Sequence, residues 1–215
     1  MHREEIIENI LKHKIIAIVR GIEPEKCIKV AEAILRAGIN MIEVTFDQTS
    51  RNGFQETRSA IHAIRERLDD QMYVGAGTVL TIEQVDLAIE AGAEYIITPA
   101  VDVNVIRYVK EKNMVVLPGA LTPTEAVRAY TAGADMVKIF PAADLGPGYL
   151  KSLKAPLKHI PMLAVGGVTE KNIGDYLAAG ALGVGVGCLA NKTWIANGEY
   201  DRITACAEEM VRNAQ

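Results

Sequence analysis

Lys138 stands in the middle of an apolar run, Met136-Val137-Lys138-Ile139-Phe140. Lysine is seldom buried unless paired, and an isolated charge is costly in an apolar interior. A strand that keeps one there has a use for it. Glu43 is the one charged residue of a second run, Met41-Ile42-Glu43-Val44-Thr45-Phe46. Burial shifts an amine toward its neutral form, by up to about 3–5 pKa units for a fully buried group. A neutral lysine attacks ketones, and the resulting Schiff base draws off electrons so that a neighbouring carbon–carbon bond can break. Glu43 suits the proton transfers of such a reaction, at the carbinolamine, the cleaved hydroxyl and the enamine carbon. The competing reading is a structural ion pair, or a lysine reaching out through the mouth of a barrel.

Both residues need strands to hold them. Short apolar runs are expected as strands near 15–20, 41–46, 72–76, 94–98, 114–118, 136–140, 162–165 and 183–187, each followed by a helical pattern. A first helix precedes them from Glu4 to Leu11, with Ile6, Ile7, Ile10 and Leu11 on one face. An Ala-Gly phrase ends a helix and begins a strand four times, at Gly38, Gly92, Gly133 and Gly180. The pattern predicts one (β/α)8 barrel, a TIM barrel with an extra N-terminal helix, spanning residues 1–215 as a single domain. An open doubly wound sheet is the alternative, but Gly183-Val184-Gly185-Val186-Gly187 lacks the full dinucleotide fingerprint and comes at the wrong end of the chain. Alternation puts Met136, Lys138 and Phe140 on one face, and Met41, Glu43 and Thr45 on one face. In an eight-stranded ring the second and sixth strands lie opposite, so the two charges are expected to point at one another across the lumen.

Other residues could serve the same pocket. Gly166-Gly167-Val168-Thr169 follows the seventh strand, with Thr169 a candidate helix cap, while Gly187 and Cys188 end the eighth. Backbone N–H groups at these places often bind phosphate in barrels, although tight turns alone would also need glycine. Gly75-Ala76-Gly77-Thr78 follows the third strand; its glycines would let a substrate approach the backbone, and Thr78 offers a hydroxyl. Arg20, ending the first strand, is a candidate anion clamp or a surface arginine. None of the four histidines falls at the C-terminal end of a strand, which argues against histidine triads and histidine-ligated metals. Cys27, Cys188 and Cys206 form neither a disulfide framework nor a zinc motif. A net charge of −4 offers no basic face for nucleic acid. No apolar run approaches the roughly 20 residues of a membrane helix. With no signal-peptide core at Met1-His2-Arg3-Glu4-Glu5, the expected compartment is the cytoplasm.

Over residues from about Ile15 to Asn191 the chain resembles the 2-keto-3-deoxy-6-phosphogluconate / 4-hydroxy-2-oxoglutarate aldolases, class I lyases with a barrel fold. The resemblance rests on Gly38 to Phe46 around the glutamate and Gly133 to Ala142 around the lysine. Val74 to Leu80, Leu117-Pro118-Gly119 and Gly166-Gly167-Val168 add to it. It implies Lys138 as the Schiff-base lysine and Glu43 as general acid and base. It places Thr78 near the pyruvyl carboxylate, with Pro118 and Phe140 lining the pocket. Gly166, Gly167, Gly187 and position 188 would hold a distal anion, usually phosphate. It further implies a phosphorylated keto acid as substrate, release of pyruvate, no metal or cofactor, and a homotrimer. Three departures bear on substrate. Asp47 stands where the family usually has arginine, Val165 where threonine is frequent, and Cys188 where the phosphate site has serine. Arg20 and Val165-Gly166-Gly167-Val168 look more like the related 2-keto-3-deoxy-6-phosphogalactonate aldolases, in which the corresponding arginine is a substrate ligand. A phosphate-binding epimerase or isomerase barrel and a non-catalytic sugar-acid-binding barrel are the readings from other classes.

Overall fold

The computed structural model describes residues 2–49 and 51–215. Eight parallel strands close into a barrel in sequence order: β1 (Ile15–Val19), β2 (Met41–Thr45), β3 (Tyr73–Gly77), β4 (Tyr95–Thr98), β5 (Val115–Ala120), β6 (Val137–Ile139), β7 (Met162–Val165) and β8 (Gly183–Val186). The expected barrel is therefore present, with small corrections at the strand ends. Arg20 lies just beyond β1, and Met136 and Phe140 flank β6 rather than belonging to it.

Helices α2 (Pro24–Arg36), α3 (Arg51–Leu68), α4 (Ile82–Glu90), α5 (Val103–Glu111), α6 (Pro123–Thr131), α7 (Ala142–Lys154) and α8 (Ile173–Ala178) form the outer layer, and α9 (Lys192–Ala196) and α10 (Tyr200–Asn213) follow β8. The recurring Ala-Gly phrase works as its composition suggests. Gly38, Gly92, Gly133 and Gly180 all have positive φ, between 88° and 110°, which costs glycine no steric penalty. At the end of α2, Gly38 N–H donates to Leu35 O and Ile39 N–H to Ile34 O, and the chain turns directly into β2.

The apolar side chains divide into two cores, one on each side of the sheet. Ile42, Val44, Val137 and Ile139 belong to the larger core between sheet and helices. Ile16, Met41, Tyr95, Leu117, Met136, Leu163 and Val165 form a second core inside the barrel. This alternation is what aims Glu43 and Lys138 into the lumen.

One end of the lumen is closed. Helix α1 (His2–His13) places Ile6 and Ile10 in the inner core. Three polar ties hold it to the strand starts. Arg3 Nε donates to Asp135 at 2.9 Å, Tyr73 OH donates to Glu5 at 2.6 Å, and the amides of Asn9 and Asn40 pair reciprocally at 3.0 and 3.1 Å. Asp135 also takes Lys110 Nζ at 2.8 Å and Val116 N–H at 2.9 Å. With this helix as the floor, the C-terminal ends of the strands are left as the open mouth.

Candidate active site

Glu43 is 1% exposed and Lys138 5% exposed, on opposite walls of the barrel. No ion pair within 4.0 Å joins them among the described residues. The structural ion pair is therefore not made, and each group meets the other through space. Burial lowers the Lys138 pKa; the Glu43 charge opposes that and Arg20 reinforces it. Burial raises the Glu43 pKa, with Lys138 and Arg20 pulling it back. Both shifts favour neutral forms. A neutral amine is what attacks a carbonyl, and a carboxyl with a raised pKa can both give and take protons.

The two glycines of β3 have a more definite task than an opening for substrate. A Cβ on Gly75 would stand 2.1 Å from Tyr95 Cε2, and a Cβ on Gly77 would stand 1.8 Å from Glu43 Oε1. Gly75 thus makes room for the Tyr95 ring, whose hydroxyl donates to Ile42 O at 2.7 Å. Gly77 makes room for the Glu43 side chain, which lies across it. Next in sequence, Thr78 takes a left-handed conformation with φ 55°.

Thr78 and Arg20 come together: Arg20 Nη2 donates to Thr78 Oγ1 at 3.2 Å. A relay not evident from the sequence steadies them. Gln84 is buried in α4; its amide donates to Gln48 Oε1 at 2.8 Å and accepts Leu80 N–H at 2.6 Å. Gln48 Nε2 in turn donates to Thr78 O at 2.7 Å. Only the i, i+3 spacing of Thr81 and Gln84 at a helix start hints at this, and Thr81 does cap α4.

Asp47, at the position where the resemblance leads one to expect arginine, is engaged by Thr49. Its Oδ1 accepts Thr49 N–H at 2.9 Å and Thr49 Oγ1 at 2.7 Å, which lowers its pKa and shapes the turn after β2. Its carboxylate thus closes a local turn onto the backbone and hydroxyl of Thr49, two residues on.

Around the rest of the mouth, Phe140 is 37% exposed and its ring centroid lies 4.9 Å from Lys138 Nζ. Pro118 is buried in β5, one residue before Gly119, the strand partner of Lys138. Val165 belongs to the inner core, and Gly185 supplies the space it fills, since a Cβ there would stand 2.9 Å from Val165 Cγ2.

Gly166 and Gly167 both have positive φ, 96° and 74°. A Cβ on Gly167 would also stand 2.3 Å from Ala143 Cβ, so tight packing against the start of α7 is part of their purpose. Gly187 differs: a Cβ there would meet nothing within 4 Å, and the space beside it is open. Cys188 bridges the two loops, its Sγ 3.7 Å from Val168 O, and burial pushes its thiol up to about 11. Thr169 is not the cap of α8. Asn172 takes that position, accepting Thr169 N–H at 2.8 Å while its own amide donates to Gly167 O at 3.0 Å. Among the described residues no group of three His, Cys, Asp or Glu gathers as a metal site. No helix among them is long and apolar enough to cross a membrane.

One further side chain at the mouth is conspicuous. Thr45, two residues beyond Glu43 on the same face, is 3% exposed, and its hydroxyl has no hydrogen-bond partner.

Residues 6–206 match the family model described as KDPG and KHG aldolase. The 2-dehydro-3-deoxy-6-phosphogalactonate aldolase of Escherichia coli K12 is 40% identical over 177 residues, covering 82% of this chain and 83% of that protein. The 2-dehydro-3-deoxy-phosphogluconate aldolase of Treponema pallidum is 30% identical over 209 residues, covering 96% of this chain and 96% of that protein. A solved structure titled "Native KDPGal structure" superimposes with a TM-score of 0.82 at 36% identity, covering 93% of both chains.

Proposed function

The chain belongs to the KDPG and KHG aldolase family, and we propose that within it Lys138 forms the Schiff base and Glu43 moves the protons. The observation that carries this is a buried lysine with a lowered pKa, facing a buried carboxyl without an ion pair. The neutral Nζ attacks the C2 ketone of a 2-keto-4-hydroxy acid, and loss of water gives the iminium. Glu43 takes the proton of the C4 hydroxyl, directly or through one water. The C3–C4 bond then breaks, its electron pair passing into the enamine, and an aldehyde departs. The enamine takes a proton at C3, and water hydrolyses the imine to free pyruvate and restore the lysine.

The substrate we propose is a 2-keto-3-deoxy-6-phospho sugar acid. The carboxylate is held by Arg20 and Thr78, which already touch. The distal phosphate is held at the backbone of Gly166, Gly167, Gly187 and Cys188, beside the open space at Gly187. Phe140, Pro118 and Val165 wall the carbon chain. With Asp47 folded onto Thr49 and Arg20 at the mouth, the galactonate-derived acid is favoured over the gluconate-derived acid and over 4-hydroxy-2-oxoglutarate. The relative at 40% identity carries the galactonate name.

The catalytic unit in this proposal is one barrel domain over residues 1–215, working in the cytoplasm as a homotrimer. The exposed apolar side chains of Leu121, Val127, Tyr130 and Leu145 offer area for subunit contact. Two experiments test the reading. Borohydride added with pyruvate should leave a reduced adduct on Lys138; an unlabelled protein, or label on another lysine, defeats the mechanism. Pyruvate release from the three keto acids, measured side by side, should be fastest with the phosphogalactonate-derived one. Sugar-phosphate interconversion without pyruvate release would favour an isomerase instead.

A further inference from the structure

Thr45 sits at a crossing of the site's parts. On β2 the inner-core residue Met41 and the lumen-facing Glu43 fix the alternation, and Ile42 and Val44 pack outward. Thr45 therefore faces the lumen one step nearer the mouth than Glu43. On one side β1 pairs Ile18 with Glu43 and Val19 with Val44, which brings Arg20 level with Thr45. On the other side Thr45 itself pairs with Gly77, the residue before Thr78. The Arg20–Thr78 hydrogen bond joins the strands on either side of β2, and so spans the level of Thr45.

Buried hydroxyls are almost always hydrogen-bonded, because leaving one unpaired forfeits its hydration with no return. Thr45 Oγ1 is the buried side-chain polar atom without a partner among the described residues. Its neighbours explain what it lacks. The arginine guanidinium is a donor only, and it is already directed at Thr78. The Glu43 carboxyl lies over Gly77, level with Thr45, yet makes no hydrogen bond to its hydroxyl. A group offering acceptor oxygens between Arg20 and Thr78 would complete the set.

We propose that the Thr45 hydroxyl is a third hydrogen-bond donor to the carboxylate of the bound 2-keto acid, beside Arg20 and Thr78. The assignment rests on the Schiff-base reading of Lys138, which places the keto acid's C1 carboxylate on this side of the lumen. It makes Thr45 a substrate-binding residue that reads carboxylate against neutral ketone, and it accounts for a hydroxyl that does nothing for the folded chain by itself.

The experiment uses Thr45→Val, which keeps shape and removes the hydroxyl, and Thr45→Ser, which restores it. Borohydride labelling of Lys138 is followed against pyruvate and against hydroxyacetone, a ketone with no carboxylate, and the melting temperature of each protein is recorded. In Thr45→Val the half-saturating pyruvate should rise about tenfold, as expected for losing one hydrogen bond to a charged group. Labelling at saturation and labelling by hydroxyacetone should stay as in the wild type, and the melting temperature should be equal or higher. Thr45→Ser should return the pyruvate response to near wild type. An unmoved pyruvate response in Thr45→Val, an equal loss with hydroxyacetone, or a serine variant as poor as valine would overturn the proposal. A lowered melting temperature in Thr45→Val would also overturn it, by showing a structural hydroxyl. If wild-type Lys138 is not labelled by pyruvate at all, the Schiff-base reading fails and this proposal falls with it.

Discussion

Gly77→Ala adds a single methyl group to the barrel wall, and its effect can be worked from the Glu43 contact. The new Cβ would stand 1.8 Å from Oε1, 2.4 Å from Cδ and 2.5 Å from Cγ of Glu43. Ordinary carbon contacts lie at about 3.5–4.0 Å, so the carboxyl must move by roughly 2 Å. Gly77 is not among the glycines with positive φ, so alanine's backbone fits and the clash alone acts. Misplacing a catalytic group by about 1 Å can cost about 10²-fold, and losing general acid–base catalysis about 10²–10⁴-fold. The expected result is a fall in kcat of about 10²–10³-fold, with a stability loss of about 1–3 kcal/mol from overpacking. Lys138, on the far wall, should still be labelled to completion by pyruvate and borohydride at long times. Gly75→Ala is the matched control. Its methyl strikes the buried Tyr95 ring, so it should cost stability first. The assay is pyruvate release with a parallel urea titration of each variant. If Gly77→Ala turns over within a few-fold of wild type, the placement of Glu43 over Gly77 is irrelevant to catalysis and the reasoning is refuted.

Removing the Glu43 charge by Glu43→Gln should lower turnover by about 10²–10⁴-fold and also move the lysine. The Glu43 carboxylate raises the Lys138 pKa while burial and Arg20 lower it. The variant's pH midpoint for pyruvate labelling should therefore fall further below the ordinary value of 10.5; a midpoint that rises contradicts the coupling. Linkage gives each group a sign in the wild type. The unfolded lysine holds its proton to higher pH than the folded one, so this term adds stability as pH rises toward 10.5. The Glu43 term has the opposite slope: it is fully present below 4.5 and lost as pH rises through the raised folded value. Chemical denaturation across pH, with and without Glu43→Gln, checks both slopes. At the barrel floor, Asp135→Asn should cost about 2–3 kcal/mol, because it discharges a sealed carboxylate that holds Lys110 and Arg3. Turnover per folded molecule should be unchanged, since that network lies at the end opposite the mouth; a matching loss of kcat would contradict the separation.

The buried pair proposed to react, Lys138 and Glu43, is legible in the sequence for a simple reason. A charge in an apolar strand is conspicuous, period-two alternation assigns it a face, and eight units fix which strands are opposite. Face and level are properties of one strand at a time, and one strand's sequence carries them. What stayed hidden depends on neighbours brought in by the fold. Gly75 and Gly77 look like a loop that admits substrate; only the pairing of β2, β3 and β4 shows that they accommodate Tyr95 and Glu43. Asp47 looks like a reversed charge in an anion site until Thr49 is seen to occupy it. Thr169 has the right residue type for a cap, but Asn172, three residues on, takes the position. Alternation gives Thr45 the face of Glu43, yet nothing in its own run distinguishes a satisfied hydroxyl from an unsatisfied one. That distinction needs an inventory of every partner within reach on β1 and β3. The same asymmetry explains why reaction class is easier to read than substrate. The proposed chemistry sits on two residues whose own strands declare them, whereas the proposed recognition is divided among Arg20, Thr45, Thr78, Gly187 and Cys188, side chains and backbone from four strand ends that acquire a common meaning only when the barrel closes.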